Sequence, residues 1–340
     1  MIQRGQAATL ASVAMTLSVT EESLHWLSAY WKECGAGLRW DTPFVLPPWL
    51  EAWWQVFAPE VKPTVLVVSQ GDRVIGIAPL LIRDGVASII GCPDVCDYVD
   101  FIVAPGREPD FFPALLSELK QRGVNLLDPG SLRPDSAAAS GLPEAARKLG
   151  FEVSWHRDDV SLEVELPSTW DDYLQLLDAK QRHEVRRKLR RLEEAGSIGY
   201  RIVDTVEALP QFMDTFLRMF VGSREDKAAF MSEQMATFFR SMTRAMAEVG
   251  LLRSGMLELD GTPVAAVIAF DYQGIVYLYN SAYDPNYRSL SVGILSKALY
   301  IKDSIERGRR RFDFLKGGEH YKYHLGGKEV TLSTCRVVLG

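Results

Sequence analysis

Three strand-like runs stand almost back to back in the second half of this chain, at residues 251–259, 264–271 and 275–282, with Asp260-Gly261 and Gln273-Gly274 between them. Such dipeptides mark tight turns, so a sheet must form here from neighbouring strands. A helical pattern follows at 291–307, stopped by Gly308, then strands at 311–315 and 330–338. The first half has the same rhythm. Helical patterns at 22–31 and 49–57 precede a hairpin of strands 64–69 and 73–82. Strands at 87–90 and 98–103, a helix at 111–122, a short strand at 124–127, a helix at 135–149 ended by Gly150, and an extended stretch at 151–166 complete it. Pro167-Ser168 marks the boundary, and helices at 170–177, 179–195, 209–220 and 233–249 open the second half, with a strand at 200–203. No residue-level repeat accompanies the shared order. The expected fold is α/β with a mixed sheet, built as two copies of one unit: a flexible start over residues 1–18, a first domain at 19–166 and a second at 167–340. A length of 340 residues suits two domains of roughly 150 each.

Composition excludes several classes. Apolar residues at 47% and charged residues at 24% are those of a globular chain rather than a disordered one. No stretch reaches the about 18 unbroken apolar residues of a membrane helix. The start, MIQRGQAATLASVAMTLSV, lacks the apolar core of a signal peptide, which predicts a cytoplasmic protein. The net charge of −6 is uneven: residues 1–160 hold 13 Lys and Arg against 20 Asp and Glu, and residues 161–340 hold 25 against 24. That balance argues against DNA as a partner. Cys34, Cys92, Cys96 and Cys335 are too scattered for a disulfide framework, and the CPDVC run lacks further ligands nearby, so no metal is expected.

Three constellations carry chemistry. The segment KQRHEVRRKLRR, residues 180–191, holds seven Lys and Arg and one Glu. Val185, Leu189 and Leu192 form an inward stripe, while Arg182, Arg186 and Arg190 line up at helical spacing. Like charges so spaced repel, and a phosphate held by guanidinium forks would relieve them; the alternative is a solvated basic face paired with Glu193 and Glu194. Next, residues 277–293 (YLYNSAYDPNYRSLSVG) lead from a strand to a helix with Ser291 as N-cap and Gly293 in the first turn. Free N–H groups at such an end bind phosphate, although every helix has them. Lastly, residues 312–327 (FDFLKGGEHYKYHLGG) follow a strand with Tyr321 and Tyr323 around Lys322, a lysine able to face a developing oxyanion. His320 and His324 are candidate general bases or simply exposed loop residues. The chain has no G-x-S-x-G nucleophile elbow, no Walker-type phosphate loop and no H-E-x-x-H.

Together these blocks resemble the FemAB-like, CelD-type branch of the GNAT acyltransferase superfamily, whose members carry two tandem GNAT-like domains. The matching segments are TPFVLPPWLEAWW and GDRVIGIAPLLI in the first half, then KQRHEVRRKLRRLEEAG, YDPNYRSLSVGILSKALY and RFDFLKGGEHYKYHLGGK in the second. The resemblance implies a donor-binding, catalytic second domain and a first domain that shapes the acceptor cleft. Its acyl-CoA pyrophosphate loop falls on Arg288, Ser291, Val292 and Gly293, without the family's middle Gly, and its transition-state lysine falls on Lys322. Arg182, Arg186, Arg190, Tyr321 and Tyr323 become substrate-binding candidates. The reaction expected is direct attack of an amine of a sugar or small metabolite on acyl-CoA (acetyl-CoA) or an acyl-carrier-protein thioester. The carbonyl would be polarised by backbone around Leu278 to Asn280, with Tyr279 facing the charge and Asp313 or His320 relaying the proton. Two other readings are aminoacyl transfer from charged tRNA in cell-wall synthesis, and a non-catalytic GNAT pair that only binds its ligand. The missing helical arm and the negative charge weigh against tRNA.

Overall fold

A computed structural model describes residues 16–57 and 62–340. Most of the expected flexible start, residues 1–15, lies outside the described residues. The strands are β1 (Leu17–Glu22), β2 (Thr64–Gln70), β3 (Arg73–Arg83), β4 (Val86–Ile89), β5 (Ile102–Val103), β6 (Leu126–Leu127) and β7 (Ser131–Leu132). They continue with β8 (Glu152–Glu165), β9 (Ile198–Val203), β10 (Ser254–Leu259), β11 (Thr262–Tyr272), β12 (Ile275–Tyr283), β13 (Arg311–Lys316) and β14 (Lys328–Val338). The helices are α1 (Leu24–Glu33), α2 (Pro47–Phe57), α3 (Glu108–Gln121), α4 (Ala137–Lys148), α5 (Trp170–Leu176), α6 (Ala179–Ala195), α7 (Leu209–Ser223), α8 (Glu225–Phe230), α9 (Glu233–Glu248), α10 (Val292–Glu306) and α11 (His320–His324).

The strands form one mixed sheet in the order β1-β2-β3-β4-β6-β14-β8-β13-β12-β11-β10-β9. Each half contributes a hairpin-rich sheet, and the two interleave: β14 of the second half lies between β6 and β8 of the first, and β8 in turn pairs with β13. β14 pairs antiparallel with β6 from the first half and runs alongside β8 from Lys328↔Glu163 to Val338↔Glu152. The expected turns form as read: Asp260 and Gly261, and Gln273 and Gly274, all take positive φ, as a type I′ hairpin requires. The basic segment is a 17-residue helix opened by a capping box, in which Asp178 accepts from the Gln181 N–H and the Gln181 side chain accepts from the Asp178 N–H. Val185 and Leu192 are buried and Leu189 packs beside them, so the inward stripe is real.

Apolar burial couples the halves. Trp49 of α2, fully buried, meets Phe238 of α9 and Phe270 and Tyr279 of the second-half sheet edge-on at 5.6, 5.8 and 5.2 Å. Edge-to-face rings at such distances add about 0.5–1.5 kcal/mol per pair beyond area burial. Two differences from the sequence reading stand out. The stretch expected to be a loop after β13 contains the single turn α11, and a short helix, α8, lies between α7 and α9 where no periodic pattern marked one.

Candidate active site

The site begins with two strands that part. β12 and β13 pair in parallel only at Ile275↔Arg311, Val276↔Phe312 and Tyr277↔Asp313. Beyond this both backbones break step. In β12 the register with β11 jumps from Ala269↔Leu278 to Ile268↔Asn280, which leaves Tyr279 as a bulge. In β13, Leu315 takes φ +63°, a region that large side chains avoid, at a cost on the order of 1–3 kcal/mol.

Two charged side chains hold that bend. Asp313, 1% exposed, accepts from the Leu315 N–H at 2.7 Å, the Ser161 hydroxyl at 2.9 Å and the Tyr98 hydroxyl at 2.6 Å, with Arg133 at 3.4 Å. Lys322, 2% exposed, donates to the carbonyls of Leu315, Lys316 and Gly317 at 2.9, 2.6 and 3.0 Å, with the Glu319 carboxylate also at 2.9 Å. An ammonium has three hydrogens. All of them are engaged in wrapping the end of β13 away from β12.

The cleft so opened, about 250 Å³, is walled by Leu278 to Ser281 on one side and Phe314 to Lys316 with Tyr321 and Lys322 on the other. Asp97, from the end of the CPDVC loop, enters from the first half, and Arg224 and Lys227 reach it from the start of α8. Burial pushes the Asp97 carboxyl up to about 7 against the pull of Lys322. Lys227 donates to the Ser281 carbonyl at 2.6 Å and sits 4.4 Å from the Phe220 ring; burial, then the Arg224 charge, brings it down to about 8. Behind Tyr321, Lys297 of α10 donates to the Gly293 carbonyl at 2.7 Å and lies 4.7 Å from the Tyr321 ring. It is 6% exposed, and burial first, then Lys227, brings it down to about 7. The cleft is thus net cationic, with one carboxyl poised near neutrality. Such a wall stabilises an oxyanion, and such a carboxyl can take a proton.

The sequence candidates distribute unevenly around this cleft. Leu278, Tyr279, Asn280, Tyr321 and Lys322 line it. Tyr279 turns its hydroxyl toward the Val95 carbonyl at 3.3 Å, and burial, then the Asp97 charge, holds the phenol well above its ordinary range. Asp313 faces the opposite side, with its carboxylate taken by four donors, and His320 is exposed, 6.4 Å from His324 between ring centres. Neither lines the cleft. Tyr323 donates to Glu329 at 2.6 Å on the outer surface.

Ser291 does stand at the N-cap of α10, but with φ +60° its side chain accepts nothing from the helix. Gly293 packs on Tyr283, whose Cδ1 an added Cβ would approach to 3.0 Å, while Val292 is buried and Arg288 exposed. The arginine stripe divides as well. Arg182 ties down the end of α5 through Leu174, Gln175 and Leu177, and Arg190 pairs with Glu194 at 3.7 Å. Arg186 is exposed without a salt bridge among the described residues. A shallow cavity between α6 and α10 is lined by Lys180, Lys188, Ile294 and His324.

Sequence reasoning missed Asp97, Lys227 and Lys297. Lys297 carried a signal, a lone lysine amid apolar and small residues of a buried helix. Asp97 follows CPDVC, where attention went to the thiols. Trp49 donates to the Cys96 sulfur at 3.3 Å and Trp53 to the Cys92 sulfur at 3.5 Å. Among the described residues no group of three or more His, Cys, Asp and Glu could hold a metal ion.

Residues 179–323 match the family described as the acetyltransferase (GNAT) domain. That segment is a GNAT acetyltransferase domain. The matched segment contains α6, both parting strands, α10 and most of α11, so every wall of the cleft except Asp97 belongs to the GNAT domain. No curated protein matches the sequence. Among solved structures, FemX superposes with a TM-score of 0.63 at 14% identity, covering 94% of this chain and 96% of its own. The C-terminal domain of a putative lysylphosphatidylglycerol synthetase from Agrobacterium fabrum gives 0.55 at 11%, covering 85% and 90%. A tandem GNAT protein from the clavulanic acid biosynthesis pathway gives 0.51 at 14%, covering 96% and 99%. These likenesses show a tandem GNAT fold across nearly the whole chain. Among the described residues no helix is long and apolar enough to cross a membrane.

Proposed function

We propose that the GNAT domain transfers an acyl group from acyl-CoA, or a carrier-bound thioester, to an amine of a sugar or small metabolite by direct attack. The single observation behind this reading is the parting of β12 and β13 after three paired residues, which leaves a strand edge and a cationic wall around one space. The thioester chain would enter beside Leu278 to Ser281. As the amine nitrogen bonds to the carbonyl carbon, Asp97 takes the amine proton and the oxyanion faces β12 backbone and the Lys227 and Lys322 charges. The C–S bond then breaks, and the thiolate takes a proton from Lys227, whose lowered affinity approaches that of a thiol. Lys322 acts chiefly as a positioning residue, through the shape of β13. On this reading Asp97 replaces Asp313 and His320 as the proton acceptor, because it alone of the three lines the cleft.

A second reading, transfer of an aminoacyl group from charged tRNA, draws support from the exposed run Arg186, Arg187, Arg190 and Arg191 on α6, more cations than a single CoA needs. Calorimetric titration with acetyl-CoA, a longer acyl-CoA and free CoA separates the readings. Saturable binding that weakens in Arg186→Ala supports the thioester donor. No binding to any of the three, with turnover of aminoacyl-tRNA, overturns it in favour of the second.

A further inference from the structure

Among the described residues three lysines line the cleft, Lys227, Lys316 and Lys322, and their hydrogens are engaged differently. Lys322 gives all of its hydrogens to the carbonyls of the β13 bend. Lys316 turns its ammonium to Asp158 at 2.7 Å. Lys227 makes one hydrogen bond, 2.6 Å to the Ser281 carbonyl, and otherwise rests over the Phe220 ring. Among the described residues no carboxylate stands within salt-bridge distance of it, since its neighbour Asp226 is held by Arg224 at 2.8 Å. Lys297 lies behind Tyr321 and does not line the space. Lys227 is therefore the amine of this cleft that can shed a proton without leaving a carboxylate or a bent strand unpaired. Burial, then the Arg224 charge, acts in the same direction. At about 8 it is roughly half free amine at pH 8, against about one part in 250 for an ordinary lysine at 10.4.

With the thioester beside Leu278 to Ser281, the Lys227 nitrogen is anchored on the last carbonyl of that run. A nucleophile held next to a bound carbonyl reacts as though it were at very high concentration. We infer that Lys227 is a self-acylation site, whose nitrogen takes the acyl group from the bound thioester when no acceptor amine is in place. This inference rests on the acyl-transfer reading and adds a second fate for the same donor. The neutral nitrogen leaves the Ser281 carbonyl and bonds to the thioester carbon. The C–S bond breaks, and the thiolate departs with the electron pair and takes the proton that the nitrogen sheds. The products are an amide on Lys227 and a free thiol, and no other reactant is consumed. An amide is too poor an acyl donor to pass the group on, so the modification ends there. It also removes one cation facing the oxyanion and the proton that the leaving thiolate needs. An excess of donor over acceptor thereby switches the cleft off.

The experiment incubates the full chain with acetyl-CoA and no amine, in a buffer without a nucleophile, and follows acetylation lysine by lysine by peptide mass spectrometry. Lys62 and Lys148, with side chains 83% and 71% exposed, serve as internal references for acetylation that needs no site. The expected result is acetylation of Lys227 at least about tenfold faster than of either reference, at a rate that saturates with acetyl-CoA and falls when free CoA competes. The rate at Lys227 should level off above about pH 8, whereas an ordinary lysine keeps gaining free amine toward 10.4. Calorimetric titration of the same protein keeps the two readings apart. Saturable binding of acetyl-CoA with Lys227 acetylated no faster than Lys62, or with Lys316 or Lys322 acetylated in its place, overturns the inference and leaves the donor reading standing. No binding at all overturns both.

Discussion

Replacing Lys322 by Met distinguishes a lysine that shapes the cleft from one that only serves the reaction. The substitution keeps the length of the chain and removes the ammonium, which leaves the Leu315, Lys316 and Gly317 carbonyls and the Glu319 carboxylate without their donor. Each hydrogen bond to a charged group is worth about 1.5–3 kcal/mol. Because Gly317 and Glu319 are not fully buried, water recovers part of this, and about 3–5 kcal/mol is the expected loss, as for breaking a buried pair. With an unfolding entropy of about 2.1 cal/mol/K per residue over 340 residues, this lowers Tm by about 4–7 °C. Differential scanning calorimetry beside a turnover assay reads both quantities. A Lys322→Met protein that melts within about 1 °C of the parent yet has lost turnover would refute the clamp and leave Lys322 as a purely catalytic charge.

Other expectations follow from the same groups. If Asp97 accepts the amine proton and Lys227 supplies the thiolate's, the kcat profile should be bell-shaped, rising through about 7 and falling above about 8, and Asp97→Asn should remove the rising limb rather than merely shift KM. Lys297 is held near 7 in the fold against about 10.4 unfolded, so between these values the unfolded chain binds more protons and stability rises with pH, by up to about 4 kcal/mol. Lys297→Met should therefore be at least as stable as the parent at pH 7 and should flatten the rise, measured by urea unfolding from pH 7 to 10. Arg186→Ala should weaken an anionic donor and reduce the salt dependence of its binding with Tm unchanged. Arg182→Ala should lower Tm, since its guanidinium holds the end of α5.

Much of this fold was legible because its signals are local. Turn dipeptides located the β10–β12 meander, the stripe of Val185, Leu189 and Leu192 marked α6, and Gly308 closed α10 within two residues of its end. The β14 crossing was not legible, since pairing with β6 and β8 joins residues some two hundred positions apart and leaves no periodic trace. The site was half legible for the same reason. Lys322 stood out by composition, but a lysine bound to three carbonyls and a lysine facing an oxyanion look alike in sequence. Asp97 and Lys227 join the cleft only through tertiary packing. Asp313 was read for its charge, while its partners Tyr98, Arg133 and Ser161 come from distant segments.

Hydrogen exchange with and without saturating acetyl-CoA tests the donor cleft most directly. Slowed exchange is expected at residues 278–281 and 314–322, the two sides of the parted strands, with β4, residues 86–89, unchanged. Acetyl-CoA that binds by calorimetry yet protects neither side of the cleft would contradict it.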